Sequence, residues 1–132
     1  MLLTKLGTHR IQHSGRTLKQ HLWGTFKILA DNKYSQDICF AGLFHSIYGT
    51  NIFKTVTTTN RDTIKKAIGE TAEQYVYMFS QLNRPACWTN NSIDLQYFDN
   101  LQAIETANLQ EQQDLLARNN SVDFDKYILI SD

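Results

Sequence analysis

Four histidines fall within the first 45 residues and none later: His9, His13, His21 and His45. A neutral imidazole offers one nitrogen to a transition metal and titrates near neutral pH, so such a cluster suits metal binding or proton transfer. His45 lies in the run Ala41-Gly-Leu-Phe-His45-Ser46-Ile-Tyr48-Gly-Thr50. Ser46 and Tyr48 are its neighbouring groups with exchangeable protons and are the candidate catalytic side chains. Arg61, at the start of a predicted helix, suits an anion, and with Arg16 and Thr50 it completes a candidate ligand-binding set.

These residues need elements to hold them. From Ile38 to Phe44 every residue is apolar or small, which predicts a helix with no polar face, enclosed by other elements. We expect it to run from about Gln36 to Ile47, with Ser35 as its cap. Before it, Thr17-Leu-Lys-Gln20 has the form of a capping box. The helix that starts there carries Leu18, Leu22, Thr25 and Leu29 on one face, with His21 beside them and turned inward. Two imidazoles on consecutive antiparallel helices, both facing the core, can meet and share a metal or an anion.

The rest of the chain supplies the remaining walls. Leu2, Leu3 and Leu6 predict a short first helix, packed as a lid and weakened by Gly7; His13-Ser14-Gly15 is a turn. Gly49 to Asn60 is rich in Thr and Asn and reads as a long loop of the kind that often borders sites. Asn60 caps a third helix bearing Ile64, Ile68, Ala72, Tyr75, Val76 and Phe79, broken at Gly69 and stopped by Arg84-Pro85. Leu95, Phe98, Leu101, Ile104 or Glu105, Leu109, Leu115 and Leu116 predict a final helix from near Ser92 to Asn119. Val122 to Ile130, within a C-terminal tail over 121–132, reads as a short strand or extended strap. The expected fold is an all-α, single-domain helical bundle over residues 1–132.

Composition narrows the partners. Thirteen basic and thirteen acidic residues among 132 give no net charge and no like-charge run, so no nucleic-acid footprint and no membrane-surface footprint is expected. Apolar runs are too short for a signal core or a membrane span. Cys39 and Cys87, without metal-ligand spacing, read as reduced thiols of a soluble cytoplasmic protein.

The two histidine runs carry a resemblance. Thr17-Leu-Lys-Gln-His21 followed by Ala41-Gly-Leu-Phe-His45-Ser46 resembles the first two signatures of the HD-domain superfamily of metal-dependent phosphohydrolases, a His on one helix and Ala-x-Leu-x-His-Asp on the next. His13-Ser-Gly, Arg61-x-x-Ile64-x-x-x-Ile68-Gly69-x-x-Ala72-Glu73 and Glu105-Thr-Ala-Asn108 are similar to segments of its guanosine tetraphosphate hydrolase branch, the RelA/SpoT type. His-Ser-x-x-x-Leu-x-x-His-Leu and Gly-Leu-Phe-His-Ser-x-Tyr-Gly-Thr also closely match a small family of bacterial domains, a match that implies no activity. The superfamily resemblance implies an HD-domain-like fold with His21, His45 and Asn108 at metal-ligand positions, and His13 is a candidate third nitrogen for a softer ion such as Zn²⁺ or Fe²⁺. The implied cofactor is one divalent ion, Zn, Fe or Mn, or none.

Ser46 stands where the superfamily has its metal-binding Asp, and Asn108 stands at its last carboxylate. With the acidic pair after the second signature also missing, three negative groups are gone. An ion here would lack charge compensation, and a hydrolytic water would lack its base. Two functions follow as expectations: a divergent HD-type metal-binding protein, as an enzyme acting on a small phosphorylated or oxidisable metabolite; or a non-catalytic HD-like module binding a nucleotide, small metabolite or partner protein. A helical subunit forming a homodimer through Trp88 and Tyr97 is the third reading.

Overall fold

The computed structural model describes residues 2–13 and 15–119, the last five of these by backbone alone. Six helices and one two-stranded sheet make up the described chain. α1 (Leu2–Lys5) is followed by a 3₁₀ turn at Thr8–Arg10, then β1 (Gln12–His13) and β2 (Arg16–Thr17), which pair antiparallel with His13 opposite Arg16. α2 (Leu18–Asp31), α3 (Gln36–Leu43), α4 (Arg61–Ile68), α5 (Glu70–Ser80), a 3₁₀ turn at Ala86–Trp88 and α6 (Leu95–Asn119) complete it. α2 packs on α3 and α6, while α3 is also flanked by α5, so α2 and α3 form the centre.

Local chemistry explains most boundaries. Thr17 accepts from the backbone of Gln20 while the Gln20 side chain accepts from Thr17, a complete capping box at the start of α2. Ser35 and Asn60 cap α3 and α4 one way only, their side chains accepting from the backbone N–H groups of Ile38 and Thr63. Gly69, at φ 93°, separates α4 from α5. Leu18, His21, Leu22, Thr25 and Leu29 are all buried on one face of α2. Leu3 is wholly buried, so the first helix does cover the core, although it ends before Gly7.

The close approach of α2 and α3 depends on Gly42. A Cβ there would lie 2.3 Å from Cδ1 of Leu29. Gly42→Ala should therefore cost about 1–3 kcal/mol through overpacking; an unchanged urea midpoint would show that Leu29 moves aside freely.

Several expectations are corrected. The buried helix ends at Leu43 and not at Ile47, because Phe44 to Tyr48 turn away from the helix axis, so His45 lies beyond the helix end. The final helix begins at Leu95, three residues later than expected, and Leu95 and Leu109 are exposed rather than part of its core face. Trp88 packs edge-on against Phe98, and Tyr97 against Tyr75, so both aromatics are partly used within the chain. The expected tail from Val122 to Ile130 lies outside the described residues. Among those residues, no helix is long and apolar enough to cross a membrane.

Candidate metal centre

His21 reaches the core because it shares the buried face of α2, and His45 because the chain folds back after α3. Their rings meet edge to face, with centroids 5.2 Å apart, and both are buried. The carbonyl of Gly42 lies in the last turn of α3, where carbonyls lack helical partners. It accepts from the backbone N–H of His45 and, at 2.7 Å, from the ring Nδ1–H. That fixes the tautomer of His45 and leaves its Nε2 with a lone pair. His21 Nδ1 lies 2.5 Å from Oε1 of Glu111, an acceptor, so the proton of a neutral His21 also sits on Nδ1.

Both Nε2 atoms then face one oxygen. Asn108 Oδ1 lies 2.8 Å from Nε2 of His21 and 3.2 Å from Nε2 of His45. The amide cannot be reversed to relieve this, because Asn108 Nδ2 donates to Glu105 Oε1 at 2.9 Å and a carboxylate has no proton to give. Three electron-pair donors therefore converge, and Asn108 Oδ1 also accepts from Gln112 Nε2 at 3.3 Å. Donors bonded at roughly 2.1 Å to one ion lie about 3.0–3.4 Å apart, so the observed spacing suits a cation. A proton on His21 would relieve only one of the two contacts. Burial holds the pKa of His21 well below its ordinary value, reinforced by His45, His13 and Arg16; burial also brings His45 down to about 4, against the hydrogen bond it donates to the Gly42 carbonyl.

The surrounding charges come in pairs. Arg16 meets Glu111 on the side away from His21. Arg84 donates to Glu105 at 2.7 Å and to Thr50 Oγ1 at 3.0 Å, and lies over the ring of Phe79. Gly24 makes room for Glu111: a Cβ there would fall 2.7 Å from its Cγ and Oε2.

Not all the expected site residues gather here. His13 stacks on His21 with centroids 4.0 Å apart and planes 10° from parallel. An ion lying in the plane of His21 lies outside the plane of His13, so His13 is a cover for the site and not its third nitrogen. Its pKa is pushed down to about 4 by burial and by Arg16. Phe53, from the loop after Thr50, packs at a tilt against the His13 ring with centroids 4.8 Å apart, so that loop does border the cluster. Ser46 is buried, and its hydroxyl has no hydrogen-bond partner among the described residues.

Tyr48 and Arg61 belong to a separate cluster. Arg61 donates twice to Glu73, at 2.7 and 2.8 Å, and Tyr48 donates to the same carboxylate at 2.7 Å. Burial opposes ionisation of Glu73, but these bonds outweigh it and hold its pKa below the usual range. Burial and then Glu73 push the Tyr48 phenol upward. The anion expected at Arg61 is thus supplied from within the chain, by Glu73.

Sequence reading passed over Glu111 and Gly24, and named Glu105 and Arg84 without placing either at the site. A signal existed: Glu105, Asn108 and Glu111 follow Leu101 and Ile104 at helical spacing and are buried on that apolar face. Two carboxylates from α6, Glu105 and Glu111, stand next to the donors, each paired with an arginine. Among the described residues, no three His, Cys, Asp or Glu side chains form a metal-ligand group; the third donor is the Asn108 amide.

Comparison with known proteins adds one match. A family profile described as a domain of unknown function (DUF6817) matches residues 2–84. No curated protein and no solved structure matches the chain.

Proposed function

The chain belongs to the DUF6817 family, and from the geometry of its histidine cluster we propose that it is a divergent HD-type metal-binding protein. The ion would be Zn²⁺, Fe²⁺ or Mn²⁺, held by His21, His45 and Asn108. The observation that supports this is the meeting of two Nε2 lone pairs on one amide oxygen. The chain order agrees with the HD resemblance: a histidine on one helix, a second after the next, and a last ligand on a late helix.

Each donor has an outer partner that orients it. Glu111 serves His21, the Gly42 carbonyl serves His45, and Glu105 serves Asn108, the arrangement that sets ligand direction and basicity in metal sites. A bound ion would supply Lewis acidity toward a small phosphorylated or oxidisable metabolite. His13 and Phe53 exclude water from the same side. Two free, buried cysteines accord with a cytoplasmic setting.

A second reading is a non-catalytic HD-like module binding a small metabolite. It is favoured by the pairing of Glu111 with Arg16 and of Glu105 with Arg84, which leaves neither carboxylate available as a general base.

Metal analysis of protein purified without chelator tests the proposal. We expect bound transition metal in the parent chain and none in His45→Ala, with helical content by circular dichroism confirming that the variant folds. No metal in either protein would remove the metal-binding reading.

A further inference from the structure

We propose that residues 120–132 fold back along α6 and seat in the cleft between α2 and α6, so that this face of the domain is a docking surface for the chain's own C-terminal segment. The proposal concerns a different part of the molecule from the histidine cluster and needs no metal.

The cleft has a volume of about 470 Å³ and opens between the end of α2 and the middle of α6. Leu29, Ala103 and Ala107, all buried, form an apolar floor, while Tyr34, Asp99 and Thr106 stand exposed at the rim. An apolar floor with a few polar groups around it is the make-up of a binding cleft. The same side of α6 also presents uncovered leucines. Leu95, Asp99, Gln102, Thr106 and Leu109 recur at spacings of three and four and so share one face. On it Leu95 is 88 % exposed and Leu109 49 %, so apolar surface extends from the cleft toward both ends of the helix.

The sequence past Asn119 has the complementary pattern. Taken as extended chain, Val122, Phe124, Lys126, Ile128 and Ile130 fall on one side, four apolar groups with a cation among them. Such a side is stabilised by apolar surface that carries an acid. The length suffices. From Asn119 back to Gln110 the helix covers about 14 Å, and back to Asp99 about 30 Å, whereas residues 120–132 reach about 40 Å when extended. The charges agree as well. The path runs past Asp114, which accepts from the side chain of Gln110 at the lip of the cleft, and on to Asp99, so Lys126 travels between two carboxylates. A segment tethered to the end of the same helix also has an effective concentration at the cleft of roughly millimolar, which favours it over a free partner.

Hydrogen exchange of the full chain, read by mass spectrometry on peptides covering residues 120–132, tests the proposal. We expect these amides to exchange roughly tenfold or more slowly than in a free peptide of the same sequence, and equally so at every protein concentration. Leu109→Asp and Thr106→Trp change exposed positions beside the cleft, and circular dichroism confirms that each variant folds. Either change should return the segment to the free-peptide rate. Free-peptide exchange in the parent chain overturns the proposal. Protection that grows with protein concentration also overturns it and assigns the cleft to a second copy. Protection indifferent to both variants overturns it too, since the segment would then be held somewhere else.

Discussion

Glu111→Ala lowers the stability of the chain by roughly 3–5 kcal/mol, the range for removing one partner of a buried ion pair. Glu111 is 1 % exposed; one carboxylate oxygen accepts from His21 Nδ1 and the other is ion-paired with Arg16. Without it, the His21 N–H loses its acceptor and the Arg16 guanidinium loses its buried ion pair, which costs more than the pair itself contributes. Glu111→Gln should cost less, since the amide oxygen still accepts from His21 and only the ion pair with Arg16 is lost. The double variant Arg16→Met, Glu111→Leu should lose clearly less than the two single changes added together, because no stranded charge remains. Urea unfolding of the four proteins measures this. Strict additivity would mean that the two side chains do not interact, and the account of the centre given above would fail with it.

Metal-free protein should lose stability as the pH falls from about 6.5 to about 4. His13 and His45 are buried as neutral rings with pKa values near 4, against 6.5 for an ordinary histidine. Between those values the unfolded chain binds protons that the folded chain refuses, so stability falls with falling pH. The contribution is fully present above the unfolded value and gone below the folded one. At 1.36 kcal/mol per pKa unit, each histidine accounts for roughly 3 kcal/mol at most. The combined loss is less than the sum, because the rings are close enough to titrate as a coupled group. Glu73 adds a later stage: its pKa is held below the ordinary value, by Arg61 and Tyr48 against the opposing effect of burial, and its contribution disappears only as the pH falls through the usual carboxylate range and below. Urea midpoints in chelator across this window should slope downward toward acid. A level profile between pH 6.5 and 4.5 would show that the histidines are not held neutral.

The sequence by itself determined the local elements. The capping box at Thr17, the caps at Ser35 and Asn60, the break at Gly69 and the buried face of α2 each depend on residues within one or two helical turns. Such interactions can be read without knowing the rest of the chain. The meeting of His21 and His45 was also legible, since a short connection between two apolar faces leaves few ways to pack them.

Only the tertiary structure decided what meets those rings. Asn108 and Glu111 lie 87 and 90 residues beyond His21, and although helical spacing puts them on the face of Leu101 and Ile104, it does not say which partner that face meets. Gly24 is unmarked by the sequence reading, and in the fold it is the clearance that lets Glu111 in. Tyr48 and Arg61, whose types suggested a ligand pocket, were drawn instead to Glu73. The reason is common to all of these. A buried polar group is stable only when its charge and hydrogen bonds are matched, and the match is made by whichever element the packing of the whole core brings alongside.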